Sequence, residues 1–369
     1  MDKYDVGIVG AGIAGSCLAI LLADAGLRVA VWEKEEYPKH KVCGEFVSME
    51  SHDFFKELGL PLDEWNLPHI HQLRLTSQKG AELNTTLKVG GFGISRYKLD
   101  YELAQQMIRS GVHFFPKTKV FDVKANQVKT SQGEFNVDLA IGAHGKYAPA
   151  YLQTAKSKQK NKFIGVKYHI QGDFANDLIS LHSFKGGYCG MSRIEEEKFC
   201  LCYLVNANML NNNNHDINKM EKNVLFKNKI LASIFQRAHF LWKKPLVISN
   251  IKFNKQSISN NMLFVGDAAG SISPLSGNGM SIAARSALIL SQLILDDKPK
   301  EELIKTYNQT WDEHFGSRVN HARFLNKIML NPTTHHVVLH ILNRIKPLRN
   351  KVISDMQGKR FVRNTSFIR

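Results

Sequence analysis

Three glycines, Gly10, Gly12 and Gly15, follow the apolar run Asp5–Val9 and open a second run that continues through Ala23. At this spacing the first glycine permits a tight turn, the second clears the backbone for a pyrophosphate, and the third lets a helix lie close on a strand. The free amides at the start of that helix favour phosphate charge. Glu33 ends the next apolar run, Leu27–Trp32, at the offset from the glycines where an acid takes the ribose hydroxyls. It favours an unphosphorylated ribose, hence FAD or NAD over NADP. Ala14 and Lys34, inside the turn and beside the acid, complete this first set of cofactor candidates.

A second stretch, Asn261–Met280, can hold the other half of a dinucleotide. A buried strand is expected to end at Gly266-Asp267. A loop with Pro274 should then pass through Gly277, Asn278 and Gly279 into a helix beginning at Met280. Asp267 can accept from ribityl hydroxyls, and the amides of Gly277–Met280 can stabilise negative charge on a reduced isoalloxazine. Two separated cradles in this order favour FAD over NAD. With one glycine triplet, a second nucleotide domain is not expected.

Groups able to donate a proton are Cys43 and Glu45, in the polar loop after Glu33, and Tyr188, in the segment Phe184–Gly190. Cys43 also reads as a small buried thiol. His336 and His340 have helical spacing for a metal, but no Glu-x-x-His framework or third ligand accompanies them, and no metal is expected. The five cysteines form no CxxC pair, which points to free thiols in a reducing compartment.

These residues need an α/β scaffold. Helices are expected over Ser51–Leu60 with Ser51 as N-cap, from Ser95 through Arg109, in the region 220–242 and from Met280 to Leu295; strands are expected over 70–93, 112–137 and 163–205, and Asn211–Asn214 reads as a solvent loop. A Rossmann-like FAD-binding domain (1–72, 95–160 and 250–300) is expected to interleave with a smaller mixed β-sheet substrate domain (73–94 and 161–249). A basic helical C-terminal region covers 301–369. Lys+Arg number 49 against 33 Asp+Glu, a net +16, with charged residues at 22% of an ordinary globular composition. The excess gathers after residue 317, where Asp355 is the one acid and apolar residues interleave. That region reads either as a solvated cap or as an amphipathic surface for anionic membrane. With no apolar run long enough to span a bilayer, the expectation is a cytoplasmic protein whose basic tail could touch the inner membrane face. Nucleic acid is not an expected partner, because the basic residues lack regularly interleaved exposed aromatics.

The glycine triplet, the strand-end Glu33, the Tyr37-Pro38 and Cys43-Gly44 pairs, and Gly266-Asp267-Ala268 followed by Pro274 and a glycine loop resemble the geranylgeranyl reductase branch of the FAD-dependent aromatic-ring hydroxylase (p-hydroxybenzoate hydroxylase-like) superfamily. The resemblance spans roughly residues 1–300 and is sharp at 5–45 and 261–285. It implies FAD, reduced by NAD(P)H or by a separate reductase, with Cys43-Gly44 over the flavin side of a substrate cavity and Arg96 beside the cofactor. Arg96 also reads as a surface arginine at a helix start. Where the superfamily has Asp-Gly, this chain has His144-Gly145, a departure that bears on direct reduction by a pyridine nucleotide. The implied activity is hydride transfer from reduced flavin to an isoprenoid double bond of a lipophilic molecule. The alternatives are hydroxylation of an aromatic or polyketide ring through a hydroperoxyflavin, and an FAD-holding electron-transfer subunit. A halogenase would carry a Trp-x-Trp pair, which the four tryptophans do not form.

Overall fold

The computed structural model describes residues 3–124, 126–147, 149–152, 163–251, 262–270 and 277–366. The apolar run Lys3–Val9 is the central strand of the first sheet, with Val29–Trp32 and then His113–Phe115 parallel to it on one side and Gly133–Gly142 parallel on the other. Gly133–Gly142 is long enough to serve two partners. Its first half pairs antiparallel with Gln127–Thr130, which hairpins with Val120–Lys124, and its end pairs with Leu263–Phe264.

Against this sheet lies the helix Ile13–Asp24, buried from Ile13 through Leu22 and therefore apolar on every side. It packs between the helices Arg96–Arg109 and Gly279–Leu295. Ser95 caps the former, its Oγ accepting from the Lys98 amide at 3.1 Å. Ser51 does not cap as the sequence suggested. A 3₁₀ turn, Met49–Ser51, precedes the helix His52–Glu57, and the Ser51 hydroxyl instead donates to the Ser48 carbonyl and meets Ser281 Oγ at 2.9 Å.

The second sheet has nine strands, mostly antiparallel, in the order His239–Phe240, Phe163–Gln171, Phe199–Asn206, Gly187–Arg193, Leu178–Phe184, His69–Thr76, Glu82–Gly93 and Phe46–Ser48, with Leu246–Ile251 also on Phe163–Gln171. One pairing, Leu178–Phe184 with His69–Thr76, is parallel. Asn213 is buried, its amide donating to the Met209 carbonyl and its Oδ1 accepting from Asn223, so this part of the asparagine run closes the helix Ala207–Asn211 instead of standing in solvent. Between 220 and 242 the chain forms two helices, Ile217–Asn223 and Lys229–Arg237, and then the short strand His239–Phe240. Helices Ser317–Met329, Pro332–Arg344 and Lys346–Ser354 close the outer side of this sheet.

Candidate cofactor and substrate site

The glycine turn is tight. Gly10 sits at φ +108°, and a Cβ there would come within 2.6 Å of the Ala143 carbonyl. A Cβ on Gly15 would lie 2.0 Å from the Gly10 carbonyl, so only glycine lets this helix approach its strand. Gly12 differs: it is the helix N-cap with ordinary extended backbone, and a Cβ there would meet nothing within 4 Å. Gly44 and Gly145 also face open space. The helix start carries no acidic residue and no side-chain cap, leaving its amides for a phosphate.

Glu33 is 7% exposed and faces the turn. One carboxylate oxygen accepts from the Ala11 amide at 3.1 Å, and the other from the Glu35 amide and Lys39 Nζ. Tyr37 closes the same corner by donating to the Ala11 carbonyl. Lys34 points to solvent.

The two distant cradles meet where a Cβ on Gly266 would lie 2.7 Å from Ala14 Cβ. Gly266 stands at φ +65°, its amide donating to Ser286 Oγ at 3.0 Å, and Asp267 is partly exposed with Lys146 Nζ 3.9 Å away. Gly277 (φ +64°) packs on the Phe46 ring, Asn278 donates to the Met356 carbonyl, and Gly279 begins the helix that buries Met280. Pro274 lies outside the described residues.

His144 caps the end of the Gly133–Gly142 strand. Neither ring nitrogen has a partner in hydrogen-bond geometry, and burial, only partly compensated by the Gly145 and Tyr147 backbone, pushes its pKa down to about 4. An unpaired imidazole beside the cradle, glycines that open onto empty space, and a carboxylate at the ribose position fit an adenine dinucleotide.

Arg96 is neither loose nor on the surface. Its guanidinium makes two bonds to buried Asp100, at 2.7 and 2.8 Å, and Lys41 Nζ joins the same carboxylate at 2.7 Å. Burial opposes these charges, but the arginine holds Asp100 below the usual carboxylate range and Asp100 holds Arg96 above its ordinary value.

Cys43 is partly exposed, its Sγ accepting from the Glu45 amide at 3.5 Å and its carbonyl accepting from the Cys200 thiol at 3.2 Å. Glu45 turns inward, in left-handed backbone at φ +56°, and is fully buried. Its carboxylate takes the Arg96 amide at 2.7 Å, Lys167 Nζ, and His169 Nε2 at 2.7 Å. Burial would raise its pKa, but Lys167 and His169 outweigh burial and hold it below the usual range. An anion so held accepts hydrogen bonds and has no proton to release near neutral pH, so the role of general acid read from sequence does not fit Glu45. Glu45, His169 and Cys200 place donor atoms within 4.8 Å of one another, but the Lys167 ammonium already supplies the positive charge a metal would bring. Sequence reasoning missed Lys167 and His169, since nothing local marks residues more than a hundred positions from Glu45.

Tyr188 is 4% exposed among Leu204, Ile251 and Met329, and it is not on the wall of the cavity that opens nearby. That cavity, of about 130 Å³, begins at Phe46, Gly277 and Asn278 and runs between the second sheet and the C-terminal helices. Its wall is apolar along most of its length, as at Leu73, Leu181, Val338 and Leu342.

Residues 8–39 match the model of an NAD(P)-binding Rossmann-like domain. The chain is similar to conditioned medium factor receptor 1 of Dictyostelium discoideum (24% identity, covering 85% of this chain and 68% of the relative). It is also similar to digeranylgeranylglycerophospholipid reductase 2 of Methanopyrus kandleri (22%, 88% and 86%) and to kynurenine 3-monooxygenase of Christiangramia forsetii (23%, 85% and 75%). Among solved structures, the myxobacterial chondrochloren halogenase CndH has the same fold, with a TM-score of 0.76 at 16% identity over 98% of this chain and 95% of its own.

Proposed function

We propose that this FAD-dependent oxidoreductase, which is similar to geranylgeranyl reductases and aromatic-ring hydroxylases, reduces an isoprenoid double bond in a lipophilic molecule. The observation that carries this reading is the apolar cavity, which starts at Gly277 and Asn278 and accepts a hydrocarbon chain better than a polar ring. When bound, FAD supplies the hydride chemistry. Gly10, Gly12 and Glu33 would hold its adenylate half, Asp267 and the amides after Gly277 its flavin half. Phe46 and the leucines of the wall exclude water from the olefin. Cys43 Sγ is the proposed proton source, kept in place by the Glu45 amide and by the Cys200 thiol on its own carbonyl.

The test is anaerobic reduction of the purified flavoprotein by NADPH or NADH, followed by a prenyl lipid. Flavin reoxidation with a mass gain of two hydrogens in the lipid is the expected result. A product that forms only with oxygen and carries an added oxygen atom would establish hydroxylation instead. Flavin that stays oxidised with either nicotinamide but bleaches with a reductase partner would fit the His144 departure and place the donor in another protein.

The same helices that line the cavity present an apolar outer row. Val337, Ile341, Ile345 and Leu348 are 51, 42, 47 and 41% exposed. No acid occurs from 314 to 354, while Arg323, Lys327, Arg344 and Lys346 do; Lys351 pairs with Asp355 at 3.3 Å, and Arg318 turns inward onto Glu50. Apolar contact flanked by uncompensated positive charge suits an anionic bilayer, where a lipophilic substrate resides. Among the described residues no helix is long and apolar enough to cross a membrane. The protein is therefore expected to sediment with vesicles rich in phosphatidylglycerol and not with phosphatidylcholine vesicles. Ile341→Asp with Ile345→Asp should reduce the bound fraction about 10-fold or more, two buried aliphatic side chains being worth roughly 3 kcal/mol or more. Equal sedimentation of the double variant would refute membrane docking by this face.

A further inference from the structure

Among the described residues, four polar side chains interrupt the cavity wall: Ser48, Asn278, His335 and Gln357. Ser48, Asn278 and Gln357 each spend one polar atom on a neighbour. Ser48 Oγ accepts from the Glu50 amide at 3.4 Å, Asn278 donates to the Met356 carbonyl, and Gln357 Oε1 accepts from the Val89 amide at 3.4 Å. His335 is 2% exposed and is the one ionisable residue among the described residues of the wall. Its Nδ1 pairs with Ser183 Oγ at 2.6 Å, whereas Nε2 has no hydrogen-bond partner among the described residues. Burial and the neighbouring His336 hold its pKa down to about 4, so the ring is neutral at physiological pH.

A neutral imidazole in apolar surroundings gains from a ligand that pairs with its second nitrogen, one net hydrogen bond being worth about 0.5–1.5 kcal/mol. Neutrality also sets what that partner is. A carboxylate or phosphate buried here would find no opposite charge, while a hydroxyl can either donate to or accept from Nε2, whichever tautomer Ser183 selects.

We propose that the cavity binds a long-chain amphiphile carrying one uncharged hydroxyl-type group, and that His335 Nε2 recognises that group. This rests on the cavity being the substrate site and adds the polar half of the ligand's chemistry.

Displacement of Nile red from the holoprotein tests both. The competitors are a C20 prenyl alcohol, the chain-matched hydrocarbon and the chain-matched carboxylic acid. The alcohol is expected to bind about 10-fold more tightly than either, the affinity equivalent of one well-made net hydrogen bond. His335→Phe should erase the preference while leaving hydrocarbon affinity unchanged, and His335→Gln, which keeps a polar end, should retain part of it. Equal binding of alcohol and hydrocarbon by the unaltered protein overturns the role of His335 whether or not either variant folds, yet leaves the cavity as an apolar chain site. The same role fails if His335→Phe keeps the preference. If no competitor displaces the dye, the cavity is not the substrate site and both readings fall.

Discussion

Gly12→Val is expected to purify as a folded but colourless protein. The backbone there, φ −72° and ψ −179°, suits any residue, and its Cβ would meet nothing within 4 Å. The Cβ of valine therefore meets no protein atom, and its branches enter the space that the pyrophosphate needs. A branched side chain between phosphate and amides removes several charge-assisted hydrogen bonds, each worth about 1.5–3 kcal/mol, so FAD affinity should drop about 100-fold or more. Gly15→Val differs in kind, because its Cβ falls 2.0 Å from the Gly10 carbonyl and the helix must lift off the sheet. That variant should be lost to aggregation, not merely to bleaching. The check is flavin absorbance per mole of protein alongside thermal melting. A yellow Gly12→Val protein, with normal cofactor content, would remove the glycine turn from the cofactor site.

The second large effect is expected at Lys167. Replacing it with Met leaves the Glu45 carboxylate fully buried beside His169 without its main counter-charge, a type of loss that costs about 3–5 kcal/mol. Adding Glu45→Gln should restore much of the deficit, because the buried charge is then gone from both sides. Chemical denaturation of the two single variants and the double variant measures this directly. Strict additivity of the two losses would mean that the pair is not coupled.

The pH dependence has a definite sign. Glu45 and Asp100 have folded pKa values below their unfolded ones, so their contribution is present above the unfolded values and is lost as pH falls through the folded ones. Buried neutral His182 and His335, at about 3 and 4, act in the same direction, with loss starting below the ordinary histidine value near 6.5. The unaltered protein should therefore soften steadily on acidification, and Lys167→Met should respond differently at the acid end.

The parts legible in the sequence are those in which neighbouring residues meet each other. Gly10, Gly12 and Gly15 share one turn, and Ser95 caps the helix it precedes. Asp267 could be placed because Gly266 and Ala268 frame it within a strand-to-turn pattern. What escaped depends on long closures. Glu45 meets Lys167 and His169 only after the second sheet forms, and its left-handed backbone has no signature in a glutamate codon. Phe46–Ser48 is three residues long, too short to show period-two alternation, yet it joins the loop beside Cys43 to the edge of the second sheet. Ser51 looked like a cap because serine favours that position, but a tertiary bond to Ser281 claims its hydroxyl. His335 stands next to the His336 and His340 pair and carries no signal of its own, and only the packing of its helix on Leu178–Phe184 reveals the Ser183 contact.

The strand order has one more consequence. Among the described residues the chain passes from one sheet to the other at Phe46, returns by His113, leaves again at Phe163 and comes back at Leu263. No contiguous cassette therefore encodes the strand-built wall of the cavity, and recombination between relatives would sever the nucleotide cradle along with it. The opposite wall, Ser317–Ser354, is one uninterrupted stretch after the last of these passages. A lineage acquiring a new lipid could graft that stretch whole, while the sheet side would have to adapt one side chain at a time.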